Sequence, residues 1–186
     1  MGQYGRLCAS AAVALMGTSS NSLAQGHGHP HVHGVASLQA VVDGAAVTLV
    51  LRTPLENVVG FEHAPRTEQQ KKAMRDAQES LRNPQAQFAF TAAARCDVSS
   101  MKVESPFAAN GEPSGGKMGG KPQGGEAHAE LTARYAFRCQ HPDRLKSVEV
   151  KLFDRFRNLR RVDVELAGPR GQKAYRLTSK QRVVDW

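Results

Sequence analysis

The chain has little of what a membrane anchor or a catalytic metal site would need. Its longest apolar stretch, Leu7 to Gly17, is about half of the ~20 residues that span a bilayer, so no transmembrane segment is expected. Cysteine is scarce: three in 186 residues, with no C-x-x-C pair, which removes the common zinc-ribbon and dithiol redox motifs. There is no H-E-x-x-H, no H-x-E joined to C-x-x-C, and no convincing nucleophile triad. A hydrolytic zinc centre needs three fixed ligands and a general base, so the chain is not expected to be an enzyme. Acid is also short, 17 Asp plus Glu against 25 Lys plus Arg, for a formal charge of +8. A length of 186 residues suits one domain of ordinary size and excludes two large ones.

The N-terminus reads as an address and not as fold. Arg6 precedes the apolar core LCASAAVALMG, and Ser22-Leu23-Ala24 offers small residues where an export peptidase cuts. Residues 1–24 are therefore expected to be a signal peptide directing the protein to the periplasm. Their removal takes away Arg6 and no acid, so +8 minus 1 leaves +7. It also removes Cys8 and leaves Cys96 and Cys139, which in an oxidising compartment are expected to form one disulfide. A bridge closing a loop of that size is worth roughly 4 kcal/mol in the chain-entropy model.

Hydrophobic periodicity then marks the elements. Ala36, Leu38, Ala40 and Val42 alternate with polar residues, Val47, Leu49 and Leu51 do the same, and Asp43-Gly44 lies between; this predicts a hairpin whose two central residues take positive φ. Leu55–Pro65, which contains GFEHAP, reads as a loop or short helical turn. Thr67 with Gln70 forms a capping box for a helix with the stripe Ala73, Met74, Ala77 and Leu81, stopped at Asn83-Pro84. Seven glycines and three prolines between Ser105 and Gly125 predict a flexible insertion at 105–125. Ala129 to Cys139, Val148–Leu152, Val162–Leu166 and Tyr175–Leu177 alternate as half-buried strands. The expected fold is α+β: one domain over 35–186, mainly antiparallel sheet with one long helix, one disulfide and a flexible Gly/Pro-rich insertion.

The chemistry is concentrated in histidine. His27, His29, His31 and His33 recur at every second position of a Gly-rich tail, residues 25–34. In an extended chain, i and i+2 project to one side about 7 Å apart, which lets neighbouring imidazoles close on one ion. Neutral imidazole suits zinc, copper and nickel, and its affinity falls as pH drops through ~6.5 and protons compete. Cleavage after Ala24 would also expose Gln25-Gly26-His27, whose amine, amides and imidazole make a square-planar site for Cu2+ or Ni2+ unless Gln25 cyclises. His63 beside Glu62, and His128 on one strand face with Glu130, are further candidate ligands, the carboxylates serving to fix imidazole tautomers.

The strings HVHGVASLQAVVDG and LRTPLENVVGFEHAPRT, followed by YAFRC, LFDRFRNLRRVDVEL and GQKAYRLTSKQRVVDW, resemble the ZrgA-like periplasmic zinc-binding proteins. The resemblance covers most of the mature chain. It implies Zn2+ capture in support of an ABC-type zinc importer or its solute-binding protein. Relatives often carry a second His/Asp-rich tract ahead of the strand leading to the second cysteine. Here that place holds Lys117, Met118 and Lys121 but no histidine before His128, so metal capacity is expected to be lower. Sequestration of zinc, copper or nickel in metal resistance is the competing expectation.

The basic balance raises nucleic acid as a partner. Residues 134–186 hold ten Arg and four Lys against six acids, yet many of these charges alternate with strand apolar residues and so belong to the outer face of a sheet. No nucleic-acid partner is expected.

Overall fold

A computed structural model of the protein describes residues 32–112 and 129–186. The expected signal peptide (residues 1–24), His27, His29, His31, His128 and residues 113–125 of the expected insertion lie outside the described residues.

The described chain is mostly β-sheet with few helices, and it carries one disulfide. Strands β1 (Val35–Asp43) and β2 (Ala46–Pro54) form the expected hairpin. Its two-residue loop is Gly44-Ala45, not Asp43-Gly44: Asp43 still pairs with Ala46. Only Gly44 of that loop has positive φ, +53°, the habit of a turn with glycine at its first central position. After β2 come α1 (Leu55–Val59), α2 (Glu68–Leu81), α3 (Pro84–Gln87) and the short β3 (Phe88–Phe90). The capping box is present, with Gln70 N–H on Thr67 Oγ1 at 3.2 Å and Thr67 N–H on Gln70 Oε1 at 3.3 Å. Asn83 and Pro84 end α2 by starting α3, where Asn83 Oδ1 accepts the Ala86 N–H.

Strands β4 (Cys96–Glu104) and β5 (Glu130–Cys139) pair antiparallel and are joined by Cys96–Cys139, which face each other in the register. Then follow β6 (Ser147–Val150), α4 (Leu152–Arg155), β7 (Arg161–Gly168), β8 (Gly171–Leu177) and β9 (Val183–Asp185). Leu152 was expected to continue a strand; it instead opens α4, buried together with Phe153. The start of the expected insertion is also built into the fold. Phe107 and Ala109 pack on the core, and Ala108 N–H bonds Glu112 O at 2.8 Å.

Two sheets result, a six-stranded one ordered β4-β5-β2-β1-β7-β8 and a three-stranded one ordered β3-β6-β9. All pairs are antiparallel except β1 with β7. The even-numbered residues of β1 and the odd-numbered residues of β5 point inward. Met74, Ala77 and Leu81 of α2 join them in the core, as do Val148, Val150 and Val184 of the small sheet. Tyr135 ties these layers together: its ring meets Phe88 and its hydroxyl donates to Leu81 O at 2.9 Å. The other face of the large sheet is solvent-facing. Among the described residues, no helix is long and apolar enough to cross a membrane.

Candidate metal centre

The site begins with a tight turn. Val32 O accepts the Val35 N–H at 3.0 Å, so His33 and Gly34 are the central residues. Gly34 has φ +80°, and a Cβ there would lie 3.3 Å from the Arg160 side chain. Only glycine meets both conditions without strain. The turn is then clamped by Asn57 of α1, which is buried: its Oδ1 accepts the Gly34 N–H at 2.7 Å, and its Nδ2 donates to Val35 O at 2.9 Å and Thr53 Oγ1 at 3.0 Å. From the other side, Gly34 O accepts the N–H groups of Arg160 and Arg161 at 2.8 and 2.9 Å.

That clamp places His33 over the acids of α1 and the loop after it. His33 Nδ1 is 2.9 Å from Glu56 Oε2, and Nε2 is 3.6 Å from Glu62 Oε1. The three side chains can each offer one ligand atom, all within 4.8 Å of one another. Glu56 is fixed by its helix, whose end is closed by the left-handed Gly60, with Gly60 N–H on Glu56 O at 2.8 Å. Asn158 Nδ2 donates to the same carbonyl at 3.2 Å.

The arrangement matches a familiar division of labour around zinc. A carboxylate holding the Nδ1–H of an imidazole orients the ring and leaves Nε2 as the ligating atom. Two ligands at ~2.0–2.1 Å in a tetrahedron stand roughly 3.3 Å apart, close to the separation of His33 Nε2 and Glu62 Oε1. Glu56 can orient the ring or swing in as a third ligand. The His33 side chain is 58% exposed.

His33 and Glu62 thus come together as sequence candidates. His63 is not in the group: its ring stacks on Phe61 at 5.2 Å, and Nδ1 lies 2.8 Å from Ala64 O. If Nδ1 carries the proton, Nε2 is left as a free acceptor on an exposed ring. Glu130 pairs in register with Pro54 at the strand end leading into α1, outside the trio. Glu56 was missed by motif reasoning. Its one signal was position, inside the string LRTPLENVVGFEHAP.

A family model described as "ZrgA family zinc uptake protein" matches residues 30–186. The chain belongs to that family. The match runs from just ahead of His33 to the last residue and includes His33, Glu56 and Glu62. A role connected with zinc uptake follows from membership. No curated protein matches the chain significantly.

Proposed function

We propose that this ZrgA-family protein is a periplasmic zinc-capture protein, and that Zn2+ is its cargo. The observation carrying this reading is His33 held between Glu56 and Glu62 by a dedicated clamp. His33 Nε2 and Glu62 bind the ion, Glu56 orients the ring, and the solvent-facing positions accept an imidazole from His27, His29 or His31. A site with open positions and mixed imidazole and carboxylate donors suits an ion that must be released again. His63, with Glu130 and His128, supplies secondary donors. Residues 1–24 act as the signal peptide, and the receiving partner is a zinc ABC importer or its solute-binding protein. We propose binding rather than catalysis.

Zinc titration against a chromogenic chelator tests this. His33→Ala should weaken the tightest site more than deletion of residues 25–31, which should chiefly lower stoichiometry. Unchanged tight binding in His33→Ala would remove the turn from the capture site. Growth of a deletion strain under chelation, compared with growth in excess zinc, separates uptake from resistance.

A further inference from the structure

The open face of the six-stranded sheet is self-complementary about its own midline. The strand order puts β2 and β1 at the centre, β5 and β7 next, and β4 and β8 at the edges. Three complete rows cross it. One reads Lys102, Arg134, Val50, Gln39, Glu165, Ala174. The next is small and uncharged: Ser100, Ala136, Thr48, Val41, Ala167, Gln172. The third reads Glu104, Thr132, Arg52, Ser37, Asp163, Arg176.

A two-fold axis lying parallel to the strands, between β1 and β2, sets each row against itself reversed. Arg134 then opposes Glu165 of the second copy, and Glu104 opposes its Arg176. Ala136 opposes Ala167, Thr48 opposes Val41, and in none of the three rows do like charges meet. We propose that this face is where two copies of the chain associate, sheet against sheet.

Other features of the face favour a second copy over solvent. Val41 at its centre is 46% exposed, and a recess of about 710 Å3 opens beside it, walled in part by Gln39, Glu165, Ala167 and Ala174. The symmetry places an arginine of the second copy, Arg134, over the Glu165 wall. Glu165 makes no ion pair among the described residues, and Arg134 is held only loosely, 3.8 Å from Glu104. Six strands at ~4.8 Å spacing and the five residues spanned by the rows at ~3.3 Å give a footprint of roughly 480 Å2, below the ~800 Å2 per partner of a standard interface and suited to a weak dimer. Sheets packed this way hold their strands within about 30° of each other, so opposition is closest for the strands near the axis.

Sedimentation equilibrium of the full mature chain in EDTA, which removes histidine-bridged association, tests the proposal. A dimer is expected that weakens with salt. Glu165→Arg or Arg134→Glu alone should raise its Kd at least tenfold, while the double variant E165R/R134E should return it toward wild type. Circular dichroism confirms that each variant is folded. A wild-type chain monomeric at high concentration, or a dimer indifferent to both charge reversals, would overturn the proposal. So would a double variant no better than the singles.

Discussion

The buried Asn57 accepts the Gly34 N–H at 2.7 Å and donates to the Val35 carbonyl at 2.9 Å, so one side chain reads the backbone of two successive residues. The turn carrying His33 depends on it. Asn57→Ala leaves the Gly34 amide and Val35 carbonyl without these bonds, and should cost about 1–3 kcal/mol in urea unfolding. Zinc affinity should fall with it, because His33 loses its placement. Unchanged affinity in a destabilised variant would mean that the ion itself shapes the turn.

The two acids of the trio should respond differently to the same change. Glu56→Gln keeps an acceptor for the imidazole N–H, and a loss of only a few-fold in zinc affinity is expected. Glu62→Gln removes the ligating carboxylate that faces Nε2, and a larger loss is expected, at or beyond the ~10–100-fold typical when a group that only supports a ligand is removed. Calorimetric titration of both variants checks the order; equal losses would argue for a three-ligand shell.

Cys96 and Cys139 are 43 residues apart in sequence. Opening that loop in the unfolded chain, by Cys96→Ser with Cys139→Ser, should lower stability by about 2–5 kcal/mol. Thermal melts with and without reductant provide the comparison. Reductant should shift the wild type toward the double variant and leave the variant itself unmoved.

Tyr135 supplies a pH dependence. Burial of its hydroxyl, which donates to Leu81 O, holds its pKa well above the ordinary tyrosine value. The folded state therefore keeps a proton that the unfolded state releases near pH ~10. The stabilisation is fully present below that pH and is lost as pH rises through the folded-state value. Urea midpoints measured from pH 8 to 11 should fall above ~10, and more steeply in wild type than in Tyr135→Phe. At neutral pH the variant should be about 1 kcal/mol less stable.

Sequence periodicity located β1, β2, β5 and β7 because each buries every second side chain. Strand β4 gave no such signal. It is an edge strand, mostly exposed, with an irregularity between Val98 and Ser100, and backbone pairing, unlike packing, leaves no alternation to read. Three-residue strands such as β9 are too short to show a period. At the candidate centre, His33 and Glu62 stood out by residue type. Glu56 did not, because its importance comes from a 23-residue separation closed by the Asn57 clamp. The histidines flanking His33 on the N-terminal side were legible only as a pattern.

The parallel pairing of β1 with β7 has a temporal consequence. The carbonyl of Gly34 is satisfied by the amides of Arg160 and Arg161, so the turn presenting His33 cannot be completed until the chain is nearly whole. A nascent protein leaving the ribosome or an export channel exposes its N-terminal residues early. It lacks the far strand that fixes them until almost the end. Long-range closures of this kind are slow, and the clamp around the His33–Glu56–Glu62 centre is complete only once β7 has docked beside β1.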